Sequence, residues 1–379
     1  MKIVADANIP AVEQYFAPFG QVTRVEGRSL QAAQLRAADV LLVRSVTRVD
    51  EALLTGSGVR FVGTATSGLD HVDRDYLAAA GIGFASAPGA NANSVVEYVL
   101  AAIAAVDGQL ERLLTGGTVG IVGCGAVGRT LAGRLDALGV GYRISDPWLD
   151  QGSVPHAAPL EAVLSADVVT LHCELTRRSP YPSYRLLGAT ELDRLGAGQL
   201  LINASRGEVI DEAALLARLS GEQPPVVVLD VWDGEPAIDM RLLDRLRLGT
   251  AHIAGYSLDG KLAATRMLRD AVQSYIDTAS AAHSPGPDSA LSLQAPEDLS
   301  GADLVRHLVS RVYDIARDDR QLRDTARAND PAAAFDGLRR EYRERRELAG
   351  SRVRIAAGTP EQAATIVALG CVPEFGVAQ

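Results

Sequence analysis

The sequence predicts an α/β protein made of two doubly wound parallel-sheet domains followed by a small α+β C-terminal domain. Three observations carry that prediction. Short β-branched runs alternate with helical patterns in two successive blocks; a G-x-G-x-x-G stretch sits directly between a strand and a helix in the second block; and a Pro/Ser-rich stretch at 283–298 is followed by residues of a different character. Alternating strands and helices imply parallel strands, because each helix carries the chain back to the same end of the sheet. With 379 residues there is room for two or three such domains, since one core rarely grows past about 250–300 residues.

In order along the chain, KIVADA, DVLLVRS and VRFVGTAT read as strands of the first block, with helical periodicity between them. SAPGANANS (86–94), rich in Pro, Gly and Asn, reads as a hinge before the long helix SVVEYVLAAIAAVDGQL. The second block supplies TVGIV, YRISDP, ADVVTLHC, QLLINAS, VVVLDVW and LGTAHIAG as strands. The helix GKLAATRMLRDAVQSYIDTA then returns to the first domain and makes it discontinuous. HSPGPDSALSLQAPED (283–298) reads as a linker. Beyond it come the helical DLVRHLVSRVYDIARDD, an Arg/Glu-rich helix LRREYRERREL, and a strand–helix–strand pattern in RVRIAAGTPEQAATIVALGC. The expected division is 1–93 with 256–282, 94–255, the linker 283–298, and 299–379.

Composition narrows the function. The net charge of -10 argues against nucleic acid or an anionic membrane as the main partner. Cys124, Cys173 and Cys371 are scattered, with neither metal-site nor disulfide spacing, so no metal is expected and a reducing cytoplasm is. MKIVADANIP lacks the apolar stretch of a signal peptide, and VVEYVLAAIAAV is too short to span a bilayer and carries Glu97.

Gly123, Gly125 and Gly128 form the G-x-G-x-x-G, where the three glycines would serve a tight turn, a close approach of backbone to pyrophosphate, and close helix–strand packing. Asp146 ends the next strand, where a carboxylate would meet ribose hydroxyls and disfavour a 2′-phosphate, so the expected cofactor is NAD. Arg206, Glu235 and His252 follow three later strands, and ligands of open parallel sheets bind outside the carboxyl ends of the strands. Together they suit oxidation of a secondary alcohol: His252 as base, Glu235 orienting its ring, and Arg206 gripping a carboxylate.

GIVGCGAVGR, NASRGEVID, LDVWDGEP and TAHIAGYS resemble the successive signatures of the D-2-hydroxyacid dehydrogenase family over roughly residues 1–280. That resemblance implies a flavodoxin-like substrate domain, a Rossmann NAD domain and the Arg–Glu–His arrangement. Further stretches, including LLVRSVTRVD, VGTATSGLDHVD, SAPGANA and, in the tail, VYDIARDDRQLR and FDGLRREYRERRE, resemble a branch with an extra C-terminal domain. The branch implies a small phosphorylated hydroxy acid as substrate and a homodimer made through that domain. By the resemblance, Ser45, Thr66 and Tyr256 contact substrate. Asp146, Cys173, Ala204, Ser205, Asp230 and Gly255, with backbone around Ala126 and Val127, line the NAD site. The sequence departs from the family at LHCEL, where Cys173 and Glu174 stand in place of the usual Thr-Pro.

The substrate phosphate needs cations, and Arg44 leads, with Lys261 second; the alternative for Arg44 is a surface pair with Asp70 or Asp73. In the Arg-rich stretch 339–346, interleaved Glu341, Glu344 and Glu347 suggest a solvated, internally paired helix rather than an anion site. Two other functions fit the same motifs: a dehydrogenase for 3-phosphoglycerate or an unphosphorylated hydroxy acid, and an NAD-sensing corepressor or scaffold.

Overall fold

The computed structural model describes residues 1–276, 290–325 and 328–376. Part of the expected linker, 283–289, lies outside the described residues. The chain forms two compact units: Met1–Asn91 joined by the chain from Ser257 onward, and Ala92–Tyr256 joined by the chain from Ala290 onward.

The first unit holds a parallel sheet of five strands, β1 (Lys2–Asp6), β2 (Gln21–Val25), β3 (Val40–Val43), β4 (Phe61–Thr64) and β5 (Gly83–Ala85), in the order β2-β1-β3-β4-β5. The central strands VLLV and FVGT are buried throughout, which is why they read as unbroken apolar runs: helices cover both faces of a parallel sheet. The sequence reading missed β2 and β5. β2 is an edge strand, QVTRV, largely exposed, and β5 has only three residues, so neither carries an apolar run to be seen. The helix Leu258–Tyr275 belongs to this unit and buries Leu268 and Val272 among Ile3, Phe16 and Phe61.

The second unit contains β6 (Thr118–Val122), β7 (Gly141–Ser145), β8 (Val168–Leu171), β9 (Leu200–Asn203), β10 (Val226–Leu229) and β11 (Leu248–Gly249), all parallel and ordered β11-β10-β9-β8-β6-β7. Beyond the edge strand β7 a single parallel bridge joins Ile144 to Ala157. Strand order reverses between β6 and β8, the point at which such sheets bind ligands.

A third, three-stranded parallel sheet is formed by β12 (Ser292–Gln294), β13 (Arg352–Ile355) and β14 (Val372–Phe375). The stretch expected as linker therefore includes a strand, whose brevity hid it. The C-terminal segment was expected to stand apart, but it shares its core with the nucleotide-binding sheet. Leu304, Val305, Leu308, Val353, Ile355 and Ile366 lie in one buried cluster with Val95, Val99 and Leu131. The Arg/Glu-rich stretch is also corrected: the helix Pro331–Arg340 stops at Arg340 and residues 342–347 are irregular. The buried Glu97 carboxylate explains the irregular path. It takes the N–H groups of Leu348 (2.6 Å) and Ala349 (3.0 Å) and the guanidinium of Arg345 (3.1 Å). Among the described residues no helix is long and apolar enough to cross a membrane.

Candidate active site

The glycine loop differs from residue to residue in what it leaves open. Gly123 has a φ of 100°, and a Cβ there would lie 2.6 Å from the Cys173 nitrogen. A Cβ on Gly128 would lie 2.1 Å from the Gly123 carbonyl oxygen, so the helix Ala126–Leu138 rests against the loop only because both residues are glycine. Gly125 has nothing within 4 Å of where a side chain would stand, and both it and Ala126 are exposed, with Val127 half-buried. The amino end of a 13-residue helix thus presents an open face, with unpaired N–H groups and the positive end of the dipole, as a pyrophosphate requires. Asp146, just past β7, is held against the loop: Oδ2 accepts the Cys124 N–H at 2.8 Å and Oδ1 the Trp148 N–H at 3.1 Å. These residues fit NAD. Cys173 sits half-buried beside Ser205, and burial pushes its thiol up to about 12, so it packs as a neutral thiol.

β9 delivers Arg206. Asn203 at the strand end wraps the following turn: Oδ1 accepts from the N–H and hydroxyl of Ser205 at 3.0 and 2.9 Å, and Nδ2 donates to the Arg206 carbonyl at 2.9 Å. Ala204 and Arg206 are half-buried and Ser205 is buried. Arg206 Nη1 donates to the Ser205 carbonyl at 2.7 Å. The next residue, Gly207, has no room for a side chain, since a Cβ would come within 1.9 Å of the Trp232 carbonyl carbon. The turn after β9 therefore lies against the turn after β10.

That second turn carries Glu235, and the one after β11 carries His252. Glu235 Oε1 accepts the Trp232 N–H at 3.0 Å, and Oε2 meets His252 Nδ1 at 2.8 Å. An ionised carboxylate only accepts, so Nδ1 is the donor of this contact, and in the neutral ring Nε2 keeps its lone pair. Burial works against the Glu235 charge, but the hydrogen bond and charge of His252, the charge of Arg339 and the Trp232 N–H together hold the carboxyl below its usual range.

His252 has a φ of 54°, a left-handed backbone that a non-glycine residue adopts at a cost. The buried Asp230 maintains it. The His252 N–H donates to the Asp230 carbonyl at 2.7 Å; Asp230 Oδ1 takes the Ile253 N–H (2.8 Å) and the Thr250 hydroxyl (2.6 Å), and Oδ2 the Ala254 N–H (2.9 Å). Burial raises the Asp230 carboxyl above its usual range in spite of these donors. Gly255 and Tyr256 follow, both half-buried, and the Tyr256 ring meets Tyr342 edge-on at 5.9 Å.

Sequence reasoning missed the C-terminal contribution. Asp319 accepts the N–H of Gly249 at 2.8 Å, three residues before His252, and Arg339 Nη1 stands 3.7 Å from Glu235 Oε2. The signal was present, since the Arg-rich stretch contained Arg339, but the interleaved glutamates hid it.

In the first unit, Arg44 and Ser45 follow β3, Arg44 half-buried and Ser45 exposed. Asp73, one acid weighed against Arg44, caps the helix Arg74–Ala79 through the Tyr76 N–H at 2.9 Å. Thr66 Oγ1 donates to the Gly68 carbonyl at 2.9 Å and lies 2.7 Å from Thr64 Oγ1. Lys261 stands exposed in the first turn of Leu258–Tyr275.

Fold and site define a class, the NAD-dependent 2-hydroxyacid dehydrogenases. Residues 102–254 match the family described as "D-isomer specific 2-hydroxyacid dehydrogenase, NAD binding domain", and residues 288–370 match a domain described as of unknown function. The chain is 46% identical over 372 residues to an erythronate-4-phosphate dehydrogenase of Cellvibrio japonicus, covering 94% of this chain and 96% of that one. It is 47% identical over 365 residues to that of Marinobacter nauticus, covering 94% and 95%. The chain belongs to the D-2-hydroxyacid dehydrogenase family, in its group of erythronate-4-phosphate dehydrogenases. Among solved structures, D-lactate dehydrogenase of Aquifex aeolicus, complexed with NAD and lactic acid, matches with a TM-score of 0.61 at 20% identity, over 73% of this chain and 96% of that one. The NAD-bound 3-phosphoglycerate dehydrogenase of Entamoeba histolytica matches with a TM-score of 0.63 at 21% identity, over 74% and 96%. At such identity these likenesses speak for the fold alone.

Proposed function

We propose that the protein oxidises 4-phospho-D-erythronate to (R)-3-hydroxy-2-oxo-4-phosphooxybutanoate, a step toward pyridoxal 5′-phosphate. The observation that carries the chemistry is the His252–Glu235 contact at 2.8 Å, with the other Glu235 oxygen tied to the Trp232 N–H. His252 Nε2 takes the proton of the substrate 2-hydroxyl, and the imidazolium that forms is stabilised by Glu235. Arg206 binds the C1 carboxylate and polarises the adjacent oxygen as it becomes a carbonyl. NAD, when bound, supplies the hydride acceptor for C2. Gly123, Gly125, Gly128 and Asp146 hold the cofactor, with Ala126, Val127, Cys173, Ala204, Ser205, Asp230 and Gly255 around it. Ser45, Thr66 and Tyr256 contact the substrate, with Arg44 for its phosphate. The protein works in the cytoplasm as a homodimer paired through its C-terminal segment, and gel filtration at monomer mass would refute the dimer.

The names of the full-length relatives and the C-terminal segment favour this substrate over 3-phosphoglycerate or lactate. The test follows NADH formation with 4-phospho-D-erythronate, 3-phosphoglycerate and D-lactate in wild type, His252→Ala and Arg44→Ala. Expected are turnover of the first substrate, its loss with His252→Ala, and with Arg44→Ala a KM that rises far more than kcat falls. Preference for lactate would overturn the reading.

A further inference from the structure

Helix Pro331–Arg340 is anchored by Phe335, 1% exposed, in the apolar cluster that contains Trp232, Leu242, Leu243 and Ala251, with Leu338 packed against it. Arg339 lies one turn beyond Phe335 on the same face, so it points inward. Its guanidinium stands 3.7 Å from Glu235 Oε2, the oxygen that also meets His252 Nδ1, and is hydrogen-bonded to Tyr256. Its side chain is only 19% exposed, and its buried Nε has no hydrogen-bond partner. A surface arginine has no need of such a position: the desolvation it suffers is offset only if its charge acts on something nearby.

We propose that Arg339 is a positioning residue of the reaction, the third member of a His252–Glu235–Arg339 chain through which the C-terminal segment sets the pH at which the base works. The proposal rests on the assignment of His252 as base. A glutamate charge left unshared would favour the imidazolium over the neutral ring that must take the proton. Arg339 shares the Glu235 charge and weakens that preference, while its contact with Glu235 keeps the carboxylate ionised. The C-terminal segment thus adds a charge to the reaction as well as apolar packing.

Other groups act on the same pair. Glu212, whose carboxyl burial pushes up to about 7, accepts the Asp233 N–H at 2.8 Å and faces Glu235 from the helix Glu212–Leu219. Asp233 lies in the Glu235 turn itself. Asp230 faces His252 from the end of β10. Tyr256 lies beside Arg339, and Arg206 projects from the adjoining turn. Only Arg339 and Arg206 among these are permanent cations, and Arg339 Nη1 stands 3.7 Å from Glu235 Oε2.

The test compares wild type, Arg339→Gln and Arg339→Lys, each saturated with NAD. Two readouts are used: the acidic limb of the kcat/KM profile for oxidation of 4-phospho-D-erythronate, and the NMR titration of the His252 imidazole, which needs no turnover. Loss of the positive charge tightens the protonated pair, so in Arg339→Gln both limb and titration move to higher pH by roughly half to one unit. Arg339→Lys restores most of the shift. A Glu212→Gln variant that leaves the limb in place excludes Glu212 as its origin. An unmoved titration in Arg339→Gln, or a shift that Arg339→Lys fails to restore, would overturn the proposal. If Arg339→Gln does not fold, Arg339→Met, which keeps the apolar stem, is titrated in its place and judged by the same criterion. Were no hydroxy acid oxidised by wild type, the functional reading would fall, and the imidazole titration would still decide whether Arg339 acts on the pair.

Discussion

Glu97 and Glu235 each meet an arginine from the C-terminal segment, yet their charges end up in opposite conditions. Glu97 lies within the helix Ala92–Ala104, its side chain 5% exposed against Arg345 at 1%. Burial pushes its carboxyl up to about 7, in spite of Arg345 and two backbone N–H groups, and the nearby Glu347 adds to the rise. Glu235 is less enclosed, at 17%, and its partners outweigh its burial, so its carboxyl stays below the usual range. Depth and the charge the partners carry decide between them. Arg345 explains part of the contrast, for it also donates to the carbonyls of Tyr256 and Ala254 and the hydroxyl of Ser94, and lies 4.3 Å from the centre of the Tyr313 ring. Neutral acceptors hold much of that cation, leaving less of its charge for Glu97. One pair acts as a strut between segments far apart in sequence; the other keeps a carboxylate ionised for work.

The largest expected difference is in activity. Glu235→Gln removes the charge that stabilises the imidazolium, so kcat/KM should fall by roughly 10²–10⁴-fold, while the melting temperature moves little. If Glu97→Gln cost as much activity, the distinction between strut and working pair would collapse. In stability the order reverses. Glu97→Ala takes from Arg345 the carboxylate at 3.1 Å and leaves the N–H groups of Leu348 and Ala349 without their acceptor. Breaking a buried pair from one side costs about 3–5 kcal/mol, to be read from urea unfolding at pH 7. A loss below 1 kcal/mol would show that the segment is held by its apolar core alone.

The contrast also shows what can be read in a sequence. The buried central strands announced themselves as apolar runs, and Gly123, Gly125, Gly128 and Asp146 could be placed because backbone geometry dictates glycine at fixed spacings. Arg206, Glu235 and His252 could be picked out because ligands of an open parallel sheet bind beyond the carboxyl ends of its strands. Arg339 and Arg345 were misjudged because their partners lie 104 and 248 positions away in sequence (339 − 235 and 345 − 97). A local charge pattern is dominated by near neighbours, and Glu341 and Glu344 interleave with the arginines. β2 and β12 escaped because an exposed edge strand has no apolar pattern to show.

The smallest effect is the most discriminating, because its sign differs between the two glutamates. Glu97 has a folded-state pKa raised from 4.5 to about 7, so the folded chain binds a proton that the unfolded chain releases across that window. Its stability contribution is present below about 4.5 and is lost as pH rises toward about 7. Glu235 is shifted downward, so its contribution is present above its unfolded value and is lost as pH falls through the folded one. Unfolding free energies of wild type and the two glutamine variants, measured from about pH 3 to about pH 8, should therefore give difference curves of opposite slope, that of Glu97 between 4.5 and about 7 and that of Glu235 below 4.5. Relative to wild type, Glu97→Gln gains as pH rises, whereas Glu235→Gln gains as pH falls. Parallel slopes would mean that both carboxylates are in the same state, and that Arg345 ionises Glu97 as fully as His252 and Arg339 ionise Glu235.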